Sequence, residues 1–337
     1  LGYDYIRGYA EIIAKNRNYQ KIVIEFSEGL RDHAILIYKK LKQLLREGSN
    51  ITINGDSRFG SCDIDFSLYR EVNPDLVIHI GHTPFPNIQQ IYKSKWPIDI
   101  HYIPVYEDYD NIRWILDELL NIKYRKVILV SSIQFLPLLR RLYYILVKEK
   151  TEENKFYVPK NMGLARGQVI GCFSSYLKRY RNRFDAIYVI GSGKFHALGV
   201  ALYSGLDTYL IDIRKREIVS MKNEVRRVKS LIAWNIYRAK EAKFFGVLVA
   251  KNPIQRWISH YNTILRILKR HRKEYLEILL NRVNEEVLRI FDDVDAFVTA
   301  SCPRISIDDI SRFKKPILNL EQLLILFGYK EFGDVYP

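Results

Sequence analysis

The stretch Gly167-Gln168-Val169-Ile170-Gly171-Cys172 reads as a short β-strand that ends on a thiol. The chain has 337 residues and only two other cysteines, Cys62 and Cys302. Each follows a strand-like run of its own, Ile51-Thr52-Ile53-Asn54-Gly55 in one case and Ala296-Phe297-Val298-Thr299-Ala300 in the other. Successive cysteines are spaced by about one small domain. In open parallel α/β sheets, ligands bind at the carboxyl ends of the strands. A single cysteine is most simply a small buried hydrophobe. Three at strand ends, one per unit, point instead to three similar units that each donate a thiolate to a shared metal cluster.

The rest of the chain supports three units. Lys21–Ser27, Ile51–Gly55, Asp75–Ile80 and Ile100–Val105 read as strands. A helix is expected between the first two, with Asp32 as its cap, Ala34, Ile37, Leu41, Leu44 and Leu45 on one face, and Gly48 as its stop. The rhythm restarts with a helix at Asn111–Leu120, strands at Val127–Ser131, Val169–Cys172, Ala186–Ile190 and Thr208–Ile213, and a helix at Phe135–Val147. A third round has a helix at Ser230–Ala242 and strands at Phe245–Ala250, Ala296–Ala300 and Pro316–Leu320. It also has a helix near Leu323–Phe327 and a long amphipathic helix over 271–291, striped by Leu276, Leu280, Val283, Val287 and Phe291. The expected fold is α/β, three Rossmann-like parallel domains at 1–106, 107–220 and 221–337.

Composition narrows the class. Hydrophobic residues make up 48% and charged residues 27%, as in soluble globular proteins. No apolar run approaches the roughly 20 residues that a membrane-spanning helix needs. Leu1-Gly2-Tyr3-Asp4 shows no basic-then-apolar pattern, so a cytoplasmic protein is expected, with no membrane partner. Three cysteines cannot form a disulfide framework, which suits a reducing compartment. The net charge of +15 favours an acidic partner, although the basic residues are scattered. Abundant Tyr and charge with little Met and Cys fit a thermophile.

Three stretches can carry chemistry. Structural zinc wants four ligands at close spacing, whereas three thiolates suit an iron–sulfur cluster with one iron left open. The usual radical S-adenosylmethionine signature, three closely spaced cysteines, is absent. Gly191-Ser192-Gly193-Lys194-Phe195-His196-Ala197-Leu198-Gly199 follows a strand and opens a helix. It is not a Walker loop, but its helix N-terminus could take a carboxylate or nucleoside. His196 is a candidate to position substrate or pass a proton, or equally a capping or core residue. In Cys302-Pro303-Arg304, Pro303 stiffens the chain beside the thiol and Arg304 could balance cluster charge, with Asp308 or Asp309 as a helix cap. Asp56, Asp63 and His82 are supporting residues at most, and Gln168 is a candidate to support the cluster.

Four motifs in register carry a resemblance: Gly55-Asp56-x₃-Gly60-x-Cys62-Asp63-x-Asp65, Gly167-Gln168-x₂-Gly171-Cys172, Gly191-x-Gly193-x-Phe195-His196-x-Leu198-Gly199, and Cys302-Pro303-Arg304-x₄-Asp309. Together, from about residue 20 to about residue 320, the chain resembles the archaeal diphthamide synthases of the first pathway step. These are radical 3-amino-3-carboxypropyl transferases. The resemblance implies three domains in a pseudo-three-fold triangle around a central 4Fe–4S cluster held by Cys62, Cys172 and Cys302. It implies S-adenosylmethionine as co-substrate, bound by Gly191, Ser192, Gly193, Phe195, His196 and Gln255. It also implies a histidine of translation elongation factor 2 as acceptor, a homodimer, a one-electron donor, and no need for nucleic acid. The chain departs from the family at Ser192, where a glycine is usual. It departs again at Lys251-Asn252-Pro253-Ile254-Gln255-Arg256, which is longer than the usual Lys-x-Gly-Gln and stiffened by Pro253.

Two other readings compete. Quinolinate synthase is similar in plan, with three α/β domains and one cysteine each, and uses its open iron as a Lewis acid. A basic ribosome- or RNA-binding protein with structural cysteines would hold no iron at all.

Overall fold

The structure is a computed structural model that describes residues 19–44, 47–56, 58–84, 98–148, 155–161, 163–252 and 254–337. It contains three sheets. The first holds β1 (Lys21–Phe26), β2 (Asn50–Ile53), β3 (Leu76–Ile80) and β4 (Asp99–Ile103) in the order β2-β1-β3-β4, all parallel. The second holds β5 (Lys126–Ser131), β6 (Lys155–Tyr157), β7 (Ala186–Gly191), β8 (Asp207–Asp212) and β9 (Glu217–Ser220) in the order β6-β5-β7-β8-β9. The third holds β10 (Phe244–Ala250), β11 (Glu274–Leu280), β12 (Ala296–Thr299) and β13 (Ile317–Asn319) in the order β11-β10-β12-β13, again parallel. Within each sheet the second strand in sequence lies outside the first, and the third and fourth follow on the other side. That strand order is common to all three sheets.

Helices connect the strands: α1 (Ala34–Leu44), α2 (Phe66–Val72), α3 (Arg113–Leu120), α4 (Leu136–Lys148), α5 (Lys194–Ser204), α6 (Lys222–Arg238), α7 (Ile258–Arg270), α8 (Glu285–Leu288), α9 (Ile305–Asp308), α10 (Leu320–Leu326) and α11 (Phe332–Val335). Strands buried on both faces must be apolar almost throughout. β10 is an example. Phe245, Val247 and Val249 join one core with Ile264 and Leu268, while Leu248 joins the opposite one with Ile278 and Phe297. β1 and β3 pack Ile22, Ile24, Ile78 and Ile80 with Leu41 of α1. Their exceptions, Glu25 and His79, are fully buried and face each other in register.

By packing, the chain forms two compact units. One comprises Leu1–Val169, Ile187–Ser192 and Ile211–Glu217; the other comprises Ile170–Ala186, Gly193–Leu210 and Ile218–Pro337. Cys62 belongs to the first unit, and Cys172 and Cys302 to the second.

Several expectations need correction. Residues 271–291 do not form a helix: α7 ends before Arg272, which takes a positive φ of 52°, and β11 and α8 follow. Of the expected stripe only Leu276 and Leu280 lie in β11; four apart, they share a face in helix or strand, and pairing with β10 along the whole length of β11 decides for strand. Val169–Cys172 is not a strand; a single bridge between Ser131 and Gln168 precedes a turn. Strands β6 and β9 and helix α7 were not anticipated, and α6 begins at Lys222 rather than Ser230. Asp32 sits inside a 3-10 turn over Glu28–His33. Leu45 and Pro253 lie outside the described residues.

Candidate active site

In the second unit, the loops that carry Cys172 and Cys302 are tied together by Arg304. Its guanidinium is 4% exposed. It donates from Nη1 to the Gly171 carbonyl and from Nη2 to the Phe195 carbonyl, both at 3.1 Å. Asp308 holds it from the other side, with Nε–Oδ2 at 2.5 Å and Nη2–Oδ1 at 2.7 Å. The guanidinium carbon stands 4.2 Å from the centre of the Phe195 ring. Planar, forked donors let one arginine serve two carbonyls and one carboxylate, which a lysine could not do. Arg304 thus organises the loops, and Asp308 balances its charge.

The approach of these segments depends on glycine. A Cβ on Gly199 would collide with the Gly171 carbonyl oxygen and with Arg304. A Cβ on Gly171 would come within 2.8 Å of the Phe195 carbonyl oxygen. His196 completes the arrangement: its Nδ1 accepts a hydrogen bond from Gly171 N at 3.2 Å. Burial, with Arg304 adding to it, lowers its pKa to about 4, so the ring is neutral. In that state Nδ1 is free of its proton and able to accept.

Both thiols resist ionisation. Burial pushes Cys172 up to about 12, and the neighbouring Cys302 pushes in the same direction. Burial also raises Cys302, against the opposing pull of the Arg304 backbone N–H, the Arg304 charge and the Ile305 N–H. As thiolates, these two shielded groups would need more positive charge beside them than Arg304 alone provides. A metal centre could supply that charge.

Between β7 and α5, Ser192 and Gly193 are exposed, and no side chain caps the first turn of the helix. Its leading N–H groups can therefore take an anionic group. Phe195 is 46% exposed beside them. Gln255 is half-buried in a turn where Asn252 Oδ1 accepts from Ile254 N, and Arg256 Nε donates to the Ala250 carbonyl at 2.9 Å.

In the first unit, the Cys62 loop leaves the sheet edge at Arg58, whose N–H bonds Phe26 O at 2.9 Å. Asp63 accepts from Phe59 N at 3.1 Å and, with Asp56 and Asp65, surrounds the buried Arg58 guanidinium. These acids are turn and ion-pair residues, and Asp65 also caps α2 by accepting from Leu68 N. Tyr102 Oη donates to the Ser61 carbonyl, next to Cys62, at 3.1 Å. Gln168, 2% exposed, donates to Thr83 Oγ1 at 2.6 Å and accepts from Ala165 N. It fastens the chain that leads toward Cys172 to the loop after β3. Sequence reasoning missed Glu25, Asn54 and His79, which lie behind this loop. A charged residue inside an apolar strand was the available signal.

All three cysteines are free of disulfides and half-buried. Cys62 and Cys172 occupy the same topological place, between the second and third strands of their sheets, whereas Cys302 follows the third strand. Among the described residues, no three His, Cys, Asp or Glu side chains are arranged around a single metal ion. In a cubane cluster, each thiolate takes a different iron.

The profile of the diphthamide synthesis proteins matches residues 26–337. The chain is 28% identical to the 2-(3-amino-3-carboxypropyl)histidine synthase of Pyrococcus horikoshii over 323 residues, covering 93% of this chain and 87% of that one. It is 26% identical to subunit 1 of the Saccharomyces cerevisiae synthase, covering 92% and 71% respectively. A crystal structure of Dph2 from Pyrococcus horikoshii with a 4Fe-4S cluster superposes with a TM-score of 0.82 at 25% identity, covering 98% of this chain and 92% of that chain. On the match along nearly its whole length, the chain belongs to the diphthamide synthesis family.

Proposed function

We propose that the chain transfers a 3-amino-3-carboxypropyl group from S-adenosylmethionine to a histidine of translation elongation factor 2. Cys62, Cys172 and Cys302 are the ligands of a 4Fe–4S cluster in this reading, one from each of three domains. The observation that carries it is that Arg304 locks together the loops of Cys172 and Cys302, two thiols that burial raises. The names of the Pyrococcus and yeast relatives, and the cluster in the similar crystal structure, support the same chemistry.

A 4Fe–4S cluster with three thiolate ligands supplies an open iron for the sulfonium substrate and the electron that opens its sulfur–carbon bond. The protein's part is geometry and charge. The uncapped start of α5, with Gly191, Ser192 and Gly193, receives the carboxylate of the methionine moiety. The exposed Phe195 ring offers an apolar face, and Gln255 offers an amide. Neutral His196 holds the Gly171 backbone in place. The enzyme works in the cytoplasm as a homodimer, with a separate one-electron donor.

The test is anaerobic reconstitution with iron and sulfide, a reductant, labelled S-adenosylmethionine and elongation factor 2. Label on a single histidine of the factor is expected. Quinolinate from iminoaspartate and dihydroxyacetone phosphate, with an unlabelled factor, would overturn the assignment.

A further inference from the structure

One run of the chain escapes the general scatter of positive charge. Lys178, Arg179, Arg181 and Arg183 fall within the six residues 178–183, and no acidic residue occurs between Lys155 and Asp185. All four cations are exposed. Their direction follows from the local backbone. Ser175–Tyr180 is a 3-10 helix, in which residues three apart lie on one face. Leu177 and Tyr180 are buried at 0% and 6%, so the cations beside them face solvent. Arg179 stands over the Tyr176 ring with its guanidinium carbon 5.8 Å from the centre, and Arg183 stands over Tyr180 at 5.3 Å. These contacts hold the two charges at defined places. Lys178 Nζ donates to the Asp334 carbonyl at 2.6 Å.

Among the described residues, no carboxylate pairs with any of the four. Exposed arginines elsewhere do find acids: Arg113 with Asp117, Arg227 with Glu224 and Arg312 with Asp309. Crowded like charges without counter-charge repel one another and cost stability. Burial lowers the pKa of Lys229 on α6, and the Arg181 charge adds to it, so the positive field reaches the neighbouring helix. The run is joined to the Cys172 loop by successive turns. Phe173 N and Ser174 Oγ both donate to the Ile170 carbonyl at 2.8 Å, and Leu177 N donates to the Ser174 carbonyl at 3.0 Å. Six residues of chain span at most about 20 Å, so Lys178 stands within that distance of Cys172. One protein–protein footprint, about 800 Å² per partner, covers both. The rings here are poor platforms for stacked bases, since Tyr180 is 6% exposed and the Tyr176 face is taken by Arg179. The chemistry fits an acidic protein surface.

Resting on the proposed transfer, we propose that the 178–183 run is the docking surface for the protein that carries the acceptor histidine, and that it recognises a cluster of carboxylates on that partner. Its cations raise the rate of encounter and hold the partner beside the Cys172 loop. Attraction between exposed charges is screened by salt, so the association weakens as ionic strength rises.

Two measurements test this. The first is calorimetric binding of elongation factor 2 to the cluster-free protein at two ionic strengths. Arg179→Glu with Arg183→Glu should weaken binding about tenfold or more and flatten its salt dependence. Arg179→Gln with Arg183→Gln, which removes the charge without reversing it, should fall between that variant and the wild type. Lys240→Glu with Lys269→Glu, an equal change of charge at exposed sites elsewhere, should bind as the wild type does. The second measurement uses reconstituted enzyme, where the reversal should act on KM for the factor, by a similar ratio, more than on kcat. Unchanged binding in both arginine variants, or equal weakening in the lysine control, would overturn the docking surface. So would a preference for single-stranded RNA over the factor, which would assign the run to nucleic acid. A shift from dimer to monomer in the reversal variant would overturn it too, assigning the run to a second copy. If the wild type labels no histidine of the factor, the proposed function falls and the surface with it. If the wild type labels the factor and the arginine variants bind it equally well, only the surface falls.

Discussion

The guanidinium of Arg304 donates to the carbonyl oxygen of Gly171 across 133 residues of chain, joining the residue before one cysteine to the second residue after another. The bond makes the Cys172 and Cys302 loops one rigid object within the second unit. Arg304→Ala should cost about 3 kcal/mol, because it strands two carbonyls and leaves Asp308 unpaired. Arg312→Ala is the control. Its ion pair with Asp309 is 79% exposed on the arginine side, so urea melts should place its effect within about 0.5 kcal/mol.

Gly199→Ala probes the same contact from the other side. The added methyl meets the Gly171 carbonyl oxygen, backbone that cannot rotate away. A loss of about 1–3 kcal/mol is expected, with reduced iron uptake on reconstitution. Gly333→Ala, where a Cβ meets nothing within 4 Å, should leave both thermal melting and iron content unchanged.

Cys62→Ala, Cys172→Ala and Cys302→Ala should each lose the broad absorption near about 400 nm that thiolate-to-iron charge transfer gives. Iron and sulfide assays on anaerobically reconstituted protein check this. Full iron content in any one variant removes that cysteine from the ligand set.

The thiol of Cys172 resists ionisation in the cluster-free protein. Its contribution to stability is complete below the ordinary thiol value of 9 and is lost as pH rises toward about 12. Alkylation of Cys172 by iodoacetamide, followed by peptide mass spectrometry, should accelerate about tenfold per pH unit through this range. A plateau just above pH 9 would mean an unburied thiol.

His196 gives the opposite pH dependence. Its pKa falls from 6.5 unfolded to about 4 folded, so its contribution is complete above 6.5 and lost as pH falls toward 4. The loss amounts to roughly 3 kcal/mol at most. His196→Asn, whose side-chain oxygen can still accept from Gly171 N, should flatten the stability profile across that interval. Denaturant melts at a series of pH values measure it.

The α/β class and the three-part plan were legible because parallel strands buried on both faces leave continuous apolar runs, as in Ile22–Ile24 and Ala186–Ile190. The cysteines and the glycine-rich turn before α5 were legible because their chemistry is rare and local. Arg304 was noticed for its charge alone. Its actual partners, two carbonyls and Asp308, depend on chain folding that no spacing reveals. The stretch 271–291 was misread because its apolar spacing is helical, whereas pairing of Glu274–Leu280 with β10 makes its first part a strand.

What the amino-acid order determined by itself was the placement of its apolar runs, its thiols and its turns, since each follows from side-chain transfer energy and backbone preference over a few residues. Tertiary structure alone decided which distant polar groups meet. Glu25 faces His79 because β1 and β3 are register partners, and Gly171 meets Arg304 because Gly199 leaves room for them. Such pairings are set by strand register and close packing, which are properties of the folded chain as a whole.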